Sequence, residues 1–119
     1  MDNLSNDTIT ARWNALKLNE QGLISAIVTN HENNTVLMMA WMNSEAFRLT
    51  LETKKVTFYS RSRNKIWVKG EESGNEQELV EIRVDCDKDV LLLRVNNVGP
   101  ACHTGSQTCF DEDLIWSAV

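Results

Sequence analysis

The chain contains a single proline, Pro100, and only five glycines and one tyrosine in 119 residues. With no internal repeat, low-complexity tract or Pro/Gly/Ser-rich linker, one domain over residues 1–119 is expected, and its 42% hydrophobic content suffices for one modest core. No apolar run approaches the roughly 20 residues that cross a bilayer, so no membrane role is expected. The start, Met1-Asp2-Asn3-Leu4-Ser5-Asn6-Asp7, lacks the basic residues and apolar core of a signal peptide, which makes the cytoplasm the expected compartment. A basic excess is also missing. Twelve Lys and Arg against 17 Asp and Glu give a net charge of -5, which argues against a general nucleic-acid binder. Any phosphorylated ligand must then meet a local basic cluster or a bound cation. Cysteine is sparse and odd in number, three in all. In a reducing compartment such a set points to metal binding or catalysis, with plain buried thiols as the alternative.

What is present reads as an α+β domain around a largely antiparallel sheet of about six short strands, with one clear helix. Gly22–Thr29 and Thr35–Met42 are apolar runs flanking His31-Glu32-Asn33-Asn34, the pattern of a β-hairpin with a four-residue connection. Ala46, Phe47, Leu49, Thr50 and Leu51 recur at helical spacing behind a cap at Asn43 or Ser44, predicting the helix at about 44–53. A shorter helix is expected around Thr10 to Leu16. Lys55–Ser60 and Lys65–Lys69 read as strands, followed by the glycine-punctuated loop Gly70–Asn75. Val80, Ile82 and Val84 alternate with Glu81, Arg83 and Asp85, as in a half-buried strand, and Val90–Val95 is apolar enough to be central.

Chemistry-bearing residues concentrate late in the chain. In an extended segment Asp85, Asp87 and Asp89 share one side while Cys86 and Lys88 face the other. Three carboxylates on one face repel unless a cation sits among them, and Mg²⁺ suits a few carboxylates plus water and substrate phosphate; a solvated acidic turn is the alternative. Cys86, Cys102 and Cys109 are separated by 15 and six residues, which does not match the tight spacing of a zinc knuckle. Cys102 and Cys109 could close over one Zn²⁺ across Thr104-Gly105-Ser106, leaving a third position for Cys86 and a fourth for a water. His103 beside Cys102 suits proton transfer near neutral pH, or a fourth ligand position. Ser60-Arg61-Ser62-Arg63-Asn64-Lys65, with Lys69 close behind, could hold phosphate oxygens, although short basic runs are commonly solvated. The loop containing Ser73 and Gly74 could add backbone donors to the same anion. Trp41 and Trp67 could stack on a nucleobase or pack in the core.

These residues occur in ordered blocks: Gly22-Leu23-Ile24, Val36–Asn43, Tyr59–Arg63, Trp67–Glu71, Ser73-Gly74-Asn75, Asp85–Asp89, and Ala101–Gly105 ending in Cys109-Phe110. Over residues of about 20–110 the set resembles the phosphoribosyl-AMP cyclohydrolases of histidine biosynthesis. The resemblance implies an intertwined homodimer with Zn²⁺ shared between subunits, Cys86 of one chain meeting Cys102 and Cys109 of the other. It implies Mg²⁺ at Asp85, Asp87 and Asp89, and water addition at C6 of the purine of 1-(5-phosphoribosyl)-AMP with cleavage of the N1–C6 bond. His103 would be catalytic, and Arg61, Arg63, Trp67, Lys69, Ser73 and Gly74 would bind substrate.

The chain departs from the family pattern at Glu72, where threonine is usual, at Val68, where histidine is common, and at Thr29-Asn30, where Gln-Asp is frequent. With nine residues after Phe110, the monofunctional form without a fused pyrophosphohydrolase domain is expected. The competing readings are a non-catalytic zinc-bridged dimeric binding module, which predicts closed coordination including His103, and a redox-sensing thiol set. A zinc nucleobase deaminase is excluded because His-x-Glu followed by Pro-Cys-x-x-Cys is absent.

Overall fold

Asn43 has an extended backbone and its Oδ1 accepts the amide of Ala46 at 2.9 Å, so the chain turns into a helix where the sequence predicts. In this computed structural model, which describes residues 4–119, that helix is α2 (Ser44–Thr53), and it follows α1 (Asn6–Asn14). Met1, Asp2 and Asn3, the start of the polar terminus, lie outside the described residues. The strands are β1 (Ile24–Asn30), β2 (Val36–Met42), β3 (Thr57–Ser60), β4 (Lys65–Val68), β5 (Gln77–Val84) and β6 (Val90–Asn97), with a 3₁₀ turn at Cys109–Asp111. Among the described residues no helix is long and apolar enough to cross a membrane.

The six strands form one sheet in the order β4-β3-β2-β1-β6-β5. All neighbours are antiparallel except β1 and β6, which run parallel from Ser25 opposite Val90 to Asn30 opposite Val95. The sheet curls back on itself: Leu79 donates its amide to the Lys54 carbonyl at 2.8 Å, and Val56 donates to the Gln77 carbonyl at 3.0 Å. The segment entering β3 thus meets the outer edge of β5, with Lys55 bridging Glu78. Phe58, Ile24, Met42, Leu91, Leu93, Val28, Val56 and Val95 fill the enclosed core. On α2, Ala46, Phe47, Thr50 and Leu51 are buried; Thr50 Oγ1 accepts the Thr57 amide at 2.9 Å and donates to its carbonyl at 3.2 Å, clamping helix to sheet.

Four expectations are corrected. The shorter helix expected around Thr10 to Leu16 lies at Asn6–Asn14, starting earlier because Ser5 caps it by accepting the Thr8 amide at 3.2 Å. β1 begins two residues late because Gly22, at φ 77°, closes a turn onto the Asn19 carbonyl. The β1–β2 connection has five residues, His31–Thr35, with Asn34 in the left-handed region at φ 62°. Finally, Val80, Ile82 and Val84 do not share a buried face. The register shifts between Leu79 and Glu81, so Val80 is the extra residue of a β-bulge and is 48% exposed, while Leu79 and Ile82 face Val95 and Leu93.

Candidate active site

The β5–β6 connection is a turn, not the extended segment assumed from the alternation of aspartates. Lys88 adopts φ 63°, its amide bonds the Asp85 carbonyl at 3.1 Å, and Asp85 Oδ1 accepts the amides of Asp89 at 2.9 Å and Val90 at 3.2 Å. The turn still gathers the three aspartates: ligand oxygens of Asp85, Asp87 and Asp89 lie within 4.8 Å of one another. Their electrostatics are those of like charges sharing a site. Partial desolvation disfavours ionisation of Asp85, but the amides of Asp89, Val90 and Lys88 outweigh it and hold the carboxyl below its ordinary value. Asp89 is pushed up by its hydrogen bond to Asp85, by desolvation, and by the charges of Asp85 and Asp87. Cys86, between these acids, is exposed.

Cys102 and Cys109 are brought together at the far side of β6. The Cys102 amide bonds the Ser106 carbonyl at 3.1 Å and the Gly105 amide returns to the Cys102 carbonyl at 3.0 Å, with Gly105 at φ 95°. Thr108 caps the 3₁₀ turn carrying Cys109 by accepting the Phe110 amide, and its hydroxyl donates to the Val36 carbonyl at 2.6 Å. The Thr104 hydroxyl donates to Cys102 Sγ at 3.1 Å; this contact, aided by the Cys109 thiol, lowers the Cys102 pKa. Burial, together with the hydrogen bond to Cys102 and its charge, raises that of Cys109. Cys102 is thereby the more readily ionised of two thiols that together suit a soft metal. His103 is exposed next to them.

The basic set is divided. Arg61 and Arg63 occupy the exposed β3–β4 turn, where the Arg63 amide bonds Ser60 Oγ at 3.2 Å, Tyr59 donates to Asn64, and the Arg61 guanidinium lies 4.7 Å from the Trp41 ring centre. Trp67 packs against Phe58 in a tilted contact, with centroids 5.1 Å apart, and joins Trp41, Tyr59, Ser60, Arg61 and Ser62 around an open depression. Lys69 instead lies beyond the other end of β4, donating to the Ala101 carbonyl at 2.6 Å beside Cys109, where its charge partly offsets the rise in the thiol's pKa. Between these, Gly70 at φ 83° permits a crossing that a Cβ would block at 2.4 Å from the Asn75 carbonyl carbon. The Gly74 amide closes the loop onto the Gly70 carbonyl at 2.8 Å and Ser73 Oγ accepts the Asn75 amide at 3.2 Å.

Register sorts these groups onto two ends of the sheet. Tyr59 lies opposite Trp41, Trp41 opposite Ser25, and Ser25 opposite Val90, so the Arg61 turn and the aspartate turn share one end. Val36, which anchors Thr108, is opposite Thr29, and Thr29 is opposite Arg94, which puts the thiol pair at the other. The eight residues of β6 between Cys86 and the thiol loop span about 26 Å at the usual rise. Among the described residues the only cluster of three potential ligands is the aspartate trio, so Cys86 does not join Cys102 and Cys109 within one chain. Sequence reasoning missed Thr104 and Thr108, which set the thiols in place; a hydroxyl residue directly before Cys109 was the available signal for the second.

An acidic cradle at one end and paired thiols at the other offer one hard and one soft donor set. A family model described as phosphoribosyl-AMP cyclohydrolase matches residues 38–111. Proteins named phosphoribosyl-AMP cyclohydrolase from Paracoccus denitrificans and Alkalilimnicola ehrlichii are 58% and 59% identical over 96 residues, 81% of this chain and 79% and 68% of theirs. One from Chlorobaculum parvum is 52% identical over 104 residues, 87% of this chain and 76% of its own. The chain belongs to the phosphoribosyl-AMP cyclohydrolase family.

Proposed function

We propose that the chain is a cytoplasmic cyclohydrolase of histidine biosynthesis that opens the purine ring of 1-(5-phosphoribosyl)-AMP, working as a homodimer with Zn²⁺ and Mg²⁺. The observation that carries the dimeric reading is the separation of Cys86 from Cys102 and Cys109 at opposite ends of one sheet. Antiparallel apposition of two copies brings the aspartate and Arg61 end of each against the thiol, His103 and Lys69 end of the other. Each half-site then supplies what its counterpart lacks, and a two-fold axis makes two equivalent sites.

Cys102 and Cys109 of one copy with Cys86 of the other would hold Zn²⁺, and Asp85, Asp87 and Asp89 would hold Mg²⁺. When bound, Zn²⁺ lowers the pKa of a coordinated water toward neutrality and Mg²⁺ neutralises phosphate charge. His103, exposed beside Cys102, takes a proton from the attacking water and delivers it to N1. A C6–O bond forms, the N1–C6 bond breaks with its electron pair going to N1, and the second water proton passes from the C6 hydroxyl to the exocyclic imine nitrogen, which stays on C6 as the carboxamide nitrogen. Arg61 and Arg63, with the hydroxyls of Ser60 and Ser62, hold phosphate oxygens. Trp67, lining the depression, supports the purine, Lys69 fixes the thiol loop and adds positive charge, and the Ser73-Gly74 loop presents backbone donors.

The test is an ultraviolet assay of ring opening with purified protein and phosphoribosyl-AMP, before and after chelation and after adding back Zn²⁺ and Mg²⁺ separately and together. Activity is expected to vanish on chelation and to return fully only with both ions. No ring opening under any condition defeats the assignment.

A further inference from the structure

A groove of about 920 Å³ runs along β5 beneath the two helices, with Leu16, Phe47, Leu51, Leu79 and Ile82 among its apolar lining. Val80 and Val84 stand 48% and 36% exposed at its rim. Among the described residues the outer edge of β5 is paired only where Lys54–Val56 meets Gln77–Leu79, so its Val80–Val84 stretch is open to them. Charge along the groove is unbalanced. Glu76 is paired with Lys55, and Glu81 with Arg83 and Arg94, which leaves Glu78 as the one lining carboxylate without an ion pair among the described residues. Arg12, Lys54 and Lys88 line it with no carboxylate partner among the described residues.

The carboxy-terminal segment has the opposite character. Asp111-Glu112-Asp113 precedes Leu114-Ile115-Trp116, whose side chains are 76%, 96% and 77% exposed. Three consecutive apolar side chains of that size are rarely left in water without an occupant to cover them. The segment leaves the 3₁₀ turn beside the start of β2, three strands from β5 in the sheet order. The match to the family model ends at residue 111, so the tail lies outside what that model describes.

We infer that residues 111–119 of each copy dock in this groove on a second copy of the chain, Asp111, Glu112 and Asp113 meeting Lys88 and Arg12 and Leu114 and Trp116 entering its apolar floor. The inference rests on the shared-site reading above, which sets Cys109 of one copy beside Cys86 of the other. Lys88 and Val84, two residues either side of Cys86, are the groove's near end. A tail starting at that point enters the groove directly. Fully extended, the ten residues after Cys109 reach about 33 Å, against about 26 Å for the length of β5. The acidic part of the tail comes first and meets Lys88 first; the apolar part follows along β5.

The experiment uses the full chain with Trp116→p-benzoylphenylalanine, isotopically light and heavy chains being mixed and illuminated. The expected product is a light–heavy cross-link from position 116 to residues of β5, α1 or α2. Sedimentation equilibrium of the Leu114→Asp/Trp116→Asp double variant should show a dimer dissociation constant raised about tenfold or more, with circular dichroism unchanged. Glu112→Lys/Asp113→Lys should weaken the dimer as well, and Arg12→Glu/Lys88→Glu in the partner copy should restore it. Cross-links confined to one chain would mean the tail folds onto its own groove and would overturn the inference. A wild-type dimer that binds zinc and turns over phosphoribosyl-AMP but is indifferent to the tail variants overturns this inference alone. A monomeric, fully active wild type overturns the shared-site reading and this one together.

Discussion

If each site is built from both copies, two inactive variants must rescue one another. Cys86→Ser leaves the thiol pair intact and removes the ligand on the β5–β6 turn; Cys109→Ser does the reverse. Cys86 and Cys109 are both exposed, so neither exchange disturbs the core. Each homodimer of a variant carries two defective sites and should be inactive. A mixed dimer carries one site in which both defects coincide and one in which neither is present. Random pairing at equal amounts yields about half mixed dimers with one good site of two, or about one quarter of wild-type activity; tag-purified mixed dimers should reach about one half. Zinc should follow the same count, about one ion per mixed dimer against two in the wild type. The assay is ring opening of phosphoribosyl-AMP alongside metal analysis of the same fractions. Recovery of no activity on mixing, with mixed dimers demonstrably formed, would refute the reasoning, since a site closed within one chain gives no complementation at any ratio.

His103→Ala should lower turnover by about 10²–10⁴-fold with zinc per chain unchanged, and parallel loss of zinc would make His103 a ligand instead. Gly70→Ala should raise KM for phosphoribosyl-AMP and cost about 1–3 kcal/mol in thermal unfolding, because alanine must hold φ 83° with its Cβ 2.4 Å from the Asn75 carbonyl carbon; an unchanged Tm would show that the loop re-forms freely. Gln77 is fully buried, with Oε1 unpartnered among the described residues and its amide nitrogen on Met38 Sδ at 3.6 Å. Gln77→Leu should therefore be neutral or stabilising by about 1 kcal/mol in denaturant titration, and marked destabilisation would reveal a partner for that oxygen.

Where the sequence was legible, the cause was local. The Asn43 cap and the 44–53 spacing are set within one helical turn of themselves, and the apolar run of β6 admits only a central position. The β-bulge at Val80 was invisible because the pattern of β5 alternates correctly; only the partner strand reveals that one residue is surplus. The same holds for β1 and β6, whose parallel pairing depends on the whole intervening chain. In the site, residue types were readable and grouping was not. The three aspartates are adjacent for a different reason than alternation, since the turn at Lys88 gathers them. Lys69 sits close to the arginines in sequence, yet β4 carries it to the other end of the sheet. A basic run says nothing about which side of a strand its last member will occupy.

The pairing of Ser25 with Val90 has a consequence for how the protein is made. β1 is the third strand from one side and acquires its antiparallel neighbour β2 at once, through a five-residue connection. Its other edge, between the fully buried Ala26 and Val28, waits for β6. During synthesis, helix α2 and the β3–β4 hairpin emerge and can fold while the middle of the sheet still presents open backbone donors and acceptors. Cooperative closure requires residues to at least Asn97, so a chain halted shortly before Val90 exposes an apolar strand edge rather than a smaller stable domain. The strand that completes the core is also the one that separates the two halves of the site.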